Sequence, residues 1–478
     1  MMPLLQKSKT AARDWLQGID TALLRTVAAA AALCMLLAHG FAFTNLFPNH
    51  DSTVLVFDAQ WTMYVLGRWA QNLYFPLVRG KIAAPWLIGA FSIVYLALTS
   101  YCITSLLHLK KWSAALLTGL LGTCASVTAQ LATYTYETDA YLLAMLLACA
   151  AVWCTERLPR LWGYLGAAVC LCGCLALYQS YIQFAVGLYL LLLLQRALQG
   201  AEWRHWLRQG VCALAALALG TALYLVSLKV SLAVTGYRLA DTGNGLTQLL
   251  RLGPAAVLAL RLRGRGGRMA AQVLWAVALL PLGLNVSHLL ASGNVYILMQ
   301  HALFLVYLVP MLLFDGAAPT PADWKVGGVL VKLLCGFLIL RNILCANGAY
   351  VYTKLVYDNT ARQMTQIMAD VGKLDGYEPG TTPVAFVGSF TDSQLAYHDP
   401  AFSRYEEGDL HQVNSAVTYD GTIKWWFQHV MGSNAAVIAD SGTLIALGET
   451  PAVQAMPLYP ANGYCAMVDG TAVIKLSD

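Results

Sequence analysis

The sequence predicts a mainly α protein: a polytopic bundle of about ten or eleven transmembrane helices with a small C-terminal α/β soluble domain. Three observations carry this prediction. Hydrophobic residues make up 58% of the chain and charged residues 12%, against roughly 25% charged in soluble domains. Apolar stretches near the roughly 20 residues needed to cross a bilayer recur along the chain. Charge is also divided. Of 25 acidic and 30 basic residues, 14 and 5 lie from Asp358 onward, a balance of −9, which leaves 11 and 25 upstream, a balance of +14. The upstream excess is loop charge and reads as a topology signal, not as a nucleic-acid footprint. Residues 1–350 are therefore expected to form the bundle, with a first outer loop at 44–82, and residues 351–478 an acidic, extracytoplasmic domain.

The first apolar run, near 22–43, has no small-residue cleavage site before its polar loop, so it reads as an uncleaved anchor. Segment 53–75 has helical periodicity with Trp61, Trp69 and Tyr74, which suits an amphipathic helix on the membrane surface better than a crossing. Further spans are expected near 83–107, 113–132, 140–154, 161–178, 181–195, 206–232, 271–291, 294–314 and 327–347. Segment 246–262, which contains Arg251 and Pro254, is marginal. If it crosses or re-enters, the basic run 261–268 is cytoplasmic and the tail lies outside, the arrangement the charge bias favours. If it lies flat, the tail is cytoplasmic.

Orientation follows from basic residues near short loops. With the N-terminus inside, Lys7, Lys9, Arg13, Arg25, Lys110, Lys111, Arg157, Arg160, Arg196, Arg204 and Arg208 all fall inside. Through the seventh span, only Arg68, Arg79 and Lys81 fall outside, in the loop after the first span. Eleven of the twelve cysteines lie in or beside apolar runs and read as packing residues; Cys465 alone sits in the tail, so no disulfide framework is expected there. In the tail, a helix at 357–374, strands at 383–388 and 435–439, and a hairpin around Asp469-Gly470 are expected.

Titratable groups at the mouth of a membrane bundle are functional candidates by default. Asn49-His50-Asp51 follows the first span, and Asp58 lies shortly beyond. A carboxylate here can take a proton from an attacking hydroxyl, and the guanidinium groups of Arg68 and Arg79, with Lys81, suit phosphate oxygens. The plainer alternative is that an aspartate caps the following helix and the cations touch lipid headgroups. Glu137 and Asp139, among Tyr134, Tyr136 and Tyr141, lie on the same side; either they meet sugar, or Thr138 or Asp139 caps the fourth span and the tyrosines belong to the interfacial belt. Tyr178 and Gln179, near Gln183, either join that site or bind helix to helix. Arg341 either snorkels or faces the cavity as a phosphate ligand, and His288 either packs or lines the same face. No Walker-type, HExxH, CxxC or GxSxG motif is present, which disfavours ATP-driven transport and zinc hydrolysis.

In order, Asn49-His50-Asp51, Gly67-Arg68-Trp69, Pro85, Asp139-Ala140-Tyr141, Tyr178-Gln179 and the stretch from Pro281 to Asn285 resemble the bacterial glucosyltransferase II family. This family includes O-antigen-modifying membrane glucosyltransferases. The resemblance covers most of residues 30–350. It implies a GT-C-type membrane fold in which an acid of the first outer loop assists transfer from a polyprenyl-phosphate sugar. Asp51 matches that acid and Arg68 the arginine of the following helix, whereas Asp58 has no counterpart. The expectation is an inverting glycosyltransferase on the outer face of a bacterial plasma membrane. It would move glucose from undecaprenyl phosphate to a cell-surface glycan, with Asp51 as general base and Arg68, Arg79 and Arg341 on the donor phosphate. No cofactor is fixed by the sequence; a divalent metal is compatible with it. The alternative is a transporter or flippase of lipid-linked sugars without bond chemistry, which calls for polar groups on both faces and inverted repeats. A scaffold anchoring the acidic tail would leave the loop residues without a role.

Overall fold

Among the residues described by the computed structural model, ten helices are long and apolar enough to cross a membrane. The structure describes residues 19–46, 60–239, 265–287, 295–315, 325–390, 402, 417 and 420–477. The ten are α1 (Thr21–Thr44), α2 (Pro85–Leu106), α3 (Lys111–Thr133), α4 (Thr138–Arg157), α5 (Arg160–Leu177), α6 (Ile182–Leu198), α7 (Trp203–Thr235), α8 (Arg265–Leu284), α9 (Ile297–Phe314) and α10 (Lys325–Val371). Each falls where an apolar run predicts one. Local signals set their ends: Asp20 caps α1 by accepting from the Leu23 amide at 2.9 Å, and Pro85 opens α2, where a missing N–H costs nothing. Gly236, at φ 75°, closes α7 in the left-handed conformation that favours glycine.

Span α3 is broken. Cys124 takes an extended conformation between Lys111–Thr123 and Ala125–Thr133, so the carbonyls of Leu121 and Gly122 lose their helical partners. In hydrocarbon such groups must be satisfied from elsewhere in the protein. His301 Nε2 donates to the Leu121 carbonyl at 2.9 Å and His39 Nε2 to the Gly122 carbonyl at 2.7 Å. With those nitrogens acting as donors, the Nδ1 atoms accept from the hydroxyls of Tyr181 (3.0 Å) and Tyr350 (2.7 Å). The break therefore ties α1, α3, α9 and α10 together at one level.

Contacts fix helix directions. The far end of α7 meets residues 64–67, where Tyr224 donates to the Gly67 carbonyl and Tyr237 stacks on Tyr64. The start of α8 lies at the opposite end, with Gln272 Nε2 3.2 Å from the carbonyl of Ala201 between α6 and α7. Consecutive helices α7 and α8 thus run the same way. Segment 246–262 between them lies outside the described residues. Helix α9 begins at the Gln130 and Gln183 level, where those amides donate to the carbonyls of Leu298 and Met299, and it ends at Phe314 against Gly327 of α10. Helix α10 then runs parallel to α1, with Asn347 donating to the Leu37 carbonyl at 2.8 Å. It leaves the bundle at the end where residues 60–84 lie.

Helix α10 continues unbroken into the tail, through the position of the expected boundary at 350, and buries Met364, Ile367 and Val371 under a four-stranded sheet. Strands β1 (Pro383–Val387), β2 (Ala436–Val437), β3 (Cys465–Val468) and β4 (Thr471–Lys475) have the order β2-β1-β4-β3, with β1 parallel to β2 and β4. The hairpin β3–β4 turns at Asp469 and Gly470, both at positive φ as a tight two-residue turn requires.

Candidate functional site

Residues 60–79 build one wall of the site. One surface helix is expected over 53–75; residues 60–79 instead form helices Gln60–Val65 and Gln71–Tyr74 and a π turn Phe75–Arg79, interrupted at Gly67. The interruption has a cause. The Leu66 carbonyl is taken by Gln179 Nε2 at 2.8 Å and the Gly67 carbonyl by the Tyr224 hydroxyl at 3.1 Å, so neither serves a helix. Gly67 has φ 74°, and a Cβ there would lie 2.7 Å from the Tyr224 oxygen. The Ala70 amide bonds the carbonyl of Ala176 at 3.1 Å, fastening the turn to the end of α5.

That turn delivers Arg68 to Glu137. The guanidinium donates from Nη1 to Glu137 Oε2 at 3.2 Å and lies 4.6 Å from the ring of Tyr178, which stacks on Tyr141. Glu137 ends the 3-10 turn Thr135–Glu137 and also accepts from the Tyr141 hydroxyl at 2.5 Å and Gln71 Nε2 at 3.1 Å. Two residues on, Asp139 accepts from Arg79 Nε (2.6 Å), the Tyr74 hydroxyl (2.9 Å) and the Ala140 amide (3.0 Å). Arg79 also donates to the Tyr136 carbonyl and lies 4.4 Å from the ring of Phe75.

The two ion pairs differ in one respect that matters. Arg79 and Asp139 are sealed, with side chains 1% and 0% exposed, whereas Arg68 is 15% exposed over a 1% exposed Glu137. Arg68 Nε, Trp69 Nε1 and Gln71 Oε1 are moreover buried without a partner. Burial pulls the Arg68 guanidinium toward neutrality, and the oxygens of Tyr141 and Glu137 more than reverse this, so it stays charged. Burial pushes the Tyr178 phenol up to about 12, with Arg68 pulling the other way. The Tyr74 phenol is raised by burial and by the adjacent Asp139 carboxylate, so it serves as a donor.

The structure thus gathers Arg68, Arg79, Glu137, Asp139, Tyr178 and Gln179 at one end of the bundle. Lys81 is exposed beyond Gly80, near them in sequence. Arg341 is exposed on α10, beside Asn342, whose amide reaches Thr123 at the break in α3. His50, Asp51, Asp58 and His288 lie outside the described residues. Among the described residues, no group of three metal-ligating side chains forms. Sequence reasoning missed Gln71 and Tyr74 as members of the cluster, and Tyr141 as a donor to Glu137. Spacing held a signal for two of them: Gln71 is three residues from Arg68 and Tyr141 four from Glu137, one helical turn each.

A family model described as glucosyl transferase GtrII matches residues 40–314, more than half of the chain and the whole of this cluster. No curated protein and no solved structure matches the chain.

Proposed function

The chain belongs to the glucosyl transferase GtrII family, and membership indicates glucosyltransferase activity; we propose that the donor is a polyprenyl-phosphate glucose. The acceptor is a hydroxyl of a cell-surface glycan, and transfer occurs on the outer face of a bacterial plasma membrane. Asp51 is the general base and Arg68 the ligand of the donor phosphate.

One observation carries this assignment: the two buried carboxylates are each committed to three protein donors. Asp139 accepts from Arg79, Tyr74 and the Ala140 amide across both its oxygens, and Glu137 takes Arg68, Gln71 and Tyr141 on Oε2, so both carboxylates serve to hold these side chains in place. The base is therefore sought among carboxylates outside that network, and Asp51 is the one the family resemblance singles out. Arg79 is committed to Asp139, so the phosphate falls to Arg68, which keeps an exposed flank and an unpaired Nε. In the step itself, the acceptor hydroxyl gives its proton to Asp51 as its oxygen bonds the anomeric carbon. The bond from that carbon to the phosphate oxygen breaks. The electron pair leaves with polyprenyl phosphate, whose growing charge Arg68 stabilises. His50, Lys81, Gln179 and Tyr178 surround the sugar and its phosphate. The C-terminal domain, reached by a helix leaving at this end, positions the acceptor.

The test is vesicle-reconstituted protein with radiolabelled polyprenyl-phosphate glucose. Transfer to glycan or release of glucose is expected, and D51N should abolish both while leaving the amount of folded protein unchanged. Labelled donor that crosses the bilayer with its bond intact would overturn the reading in favour of a transporter.

A further inference from the structure

The end of the bundle away from Arg68 and Glu137 carries a second polar cleft. A cavity of about 240 Å³ opens among the end of α4, the start of α5 and the first turns of α7, and Arg160, Arg208, His205 and Tyr164 line it. Its one carboxylate, Glu156, is taken by Arg196. Arg160 and Arg208 are exposed and pair with no carboxylate among the described residues, and both act electrostatically on the Tyr164 phenol. Gln209, bonded to His205 at 2.8 Å, leaves its side-chain oxygen buried and unpaired in the same cleft. Turned over, that amide would accept from His205 and offer an N–H to a ligand.

On the other side of α7 lies an apolar groove of about 320 Å³ between α6, α7 and α8, walled by Trp203, Trp206 and Trp275. Trp203 and Trp206 stack at 5.5 Å, and Trp206 is anchored to the Leu193 carbonyl at 2.9 Å. The two spaces share Tyr189 and Ala213 as lining residues.

We propose that cleft and groove together form a binding site for one anionic phospholipid, phosphate in the cleft and an acyl chain in the groove. Two unpaired guanidinium groups on a polar cavity match a phosphate diester, which each can meet with a fork of N–H donors. The adjoining groove supplies the second, independent match, since hydrocarbon is the chemistry a tryptophan-walled cavity takes. Basic residues scattered near a membrane surface attract anionic lipid in bulk; a polar cleft that shares Tyr189 and Ala213 with a tail groove selects one molecule.

The experiment uses the full chain in nanodiscs of zwitterionic lipid, doped either with brominated phosphatidylglycerol or with brominated phosphatidylcholine. Bromine quenches the groove tryptophans. The expected result is quenching at several-fold lower mole fraction for phosphatidylglycerol. R160Q/R208Q should remove most of that preference, and R160K/R208K, which keeps the charge without the fork, should keep only part of it. Both changes lie on exposed side chains outside the transfer site, so glucose transfer by the variants reports that they are folded. Equal quenching by the two lipids in the unaltered protein overturns the proposal, as does a preference that survives R160Q/R208Q. Since the readout is lipid occupancy, neither outcome depends on the transfer reading.

Discussion

Two arginines that look alike in the sequence come apart in the structure, and their variants should separate accordingly. Arg79 and Asp139 form a dehydrated pair, and removing one partner leaves a buried charge, at about 3–5 kcal/mol. R79Q should therefore lower the thermal unfolding midpoint in detergent sharply and reduce the yield of folded protein. Arg68 is different. Glu137 keeps two other donors when Arg68 changes, so R68K should unfold near the normal temperature. It should nonetheless lose roughly a hundredfold in the rate of transfer, the order seen when one donor to a developing oxyanion is removed. If R68K is as active as the unaltered protein, Arg68 does not touch the donor. A point charge cannot reproduce the planar fork stacked on Tyr178, which is why lysine is the informative change. The sequence marked both arginines as exceptions to the charge bias but did not distinguish them. Their carboxylate partners lie 69 and 60 residues away, a pairing that only the fold sets.

At the scale of elements, the breaks matter more than the helices. Helix positions were legible because a run of apolar residues long enough to cross has few other folds available. The interruption at Cys124 was not, since small and apolar residues continue on both sides and no proline marks it. Its stabilising donors are His39 and His301, 83 and 180 residues from the carbonyls they satisfy. H301L should cost about 1–3 kcal/mol, the penalty for an unpaired buried carbonyl, read as a lower unfolding midpoint. The interruption at Gly67 was half legible: the glycine was visible, its two side-chain staples were not. G67A should cost about 1–2 kcal/mol from left-handed backbone alone and also displace the Tyr224 hydroxyl. Its larger effect should be on transfer, because the turn aims Arg68. The double variant G67A/Y224F should regain part of the loss by removing the nearest clashing atom, and no gain would mean the backbone alone is at fault.

For the whole molecule, the open matter after sequence reading was the side on which the acidic tail lies, and helix directions bear on it. Helices α7 and α8 run the same way, as judged from Tyr224 at one end and Gln272 at the other, so the number of crossings changes parity between them. Helix α10 then runs parallel to α1 and leaves where residues 60–84 lie. Its 47 residues span about 70 Å at 1.5 Å per residue, against a hydrocarbon core of about 30 Å, so it carries the sheet well clear of the bilayer. An acidic domain that long can translocate without regard to the charge bias that orients short loops. A topology reporter fused after Leu476 should therefore score on the same side as one inserted at Ser52, and opposite to one inserted at Gly200, between α6 and α7. If Leu476 scores with Gly200, the chain does not change parity between α7 and α8, and the C-terminal domain cannot meet an acceptor held beside Arg68.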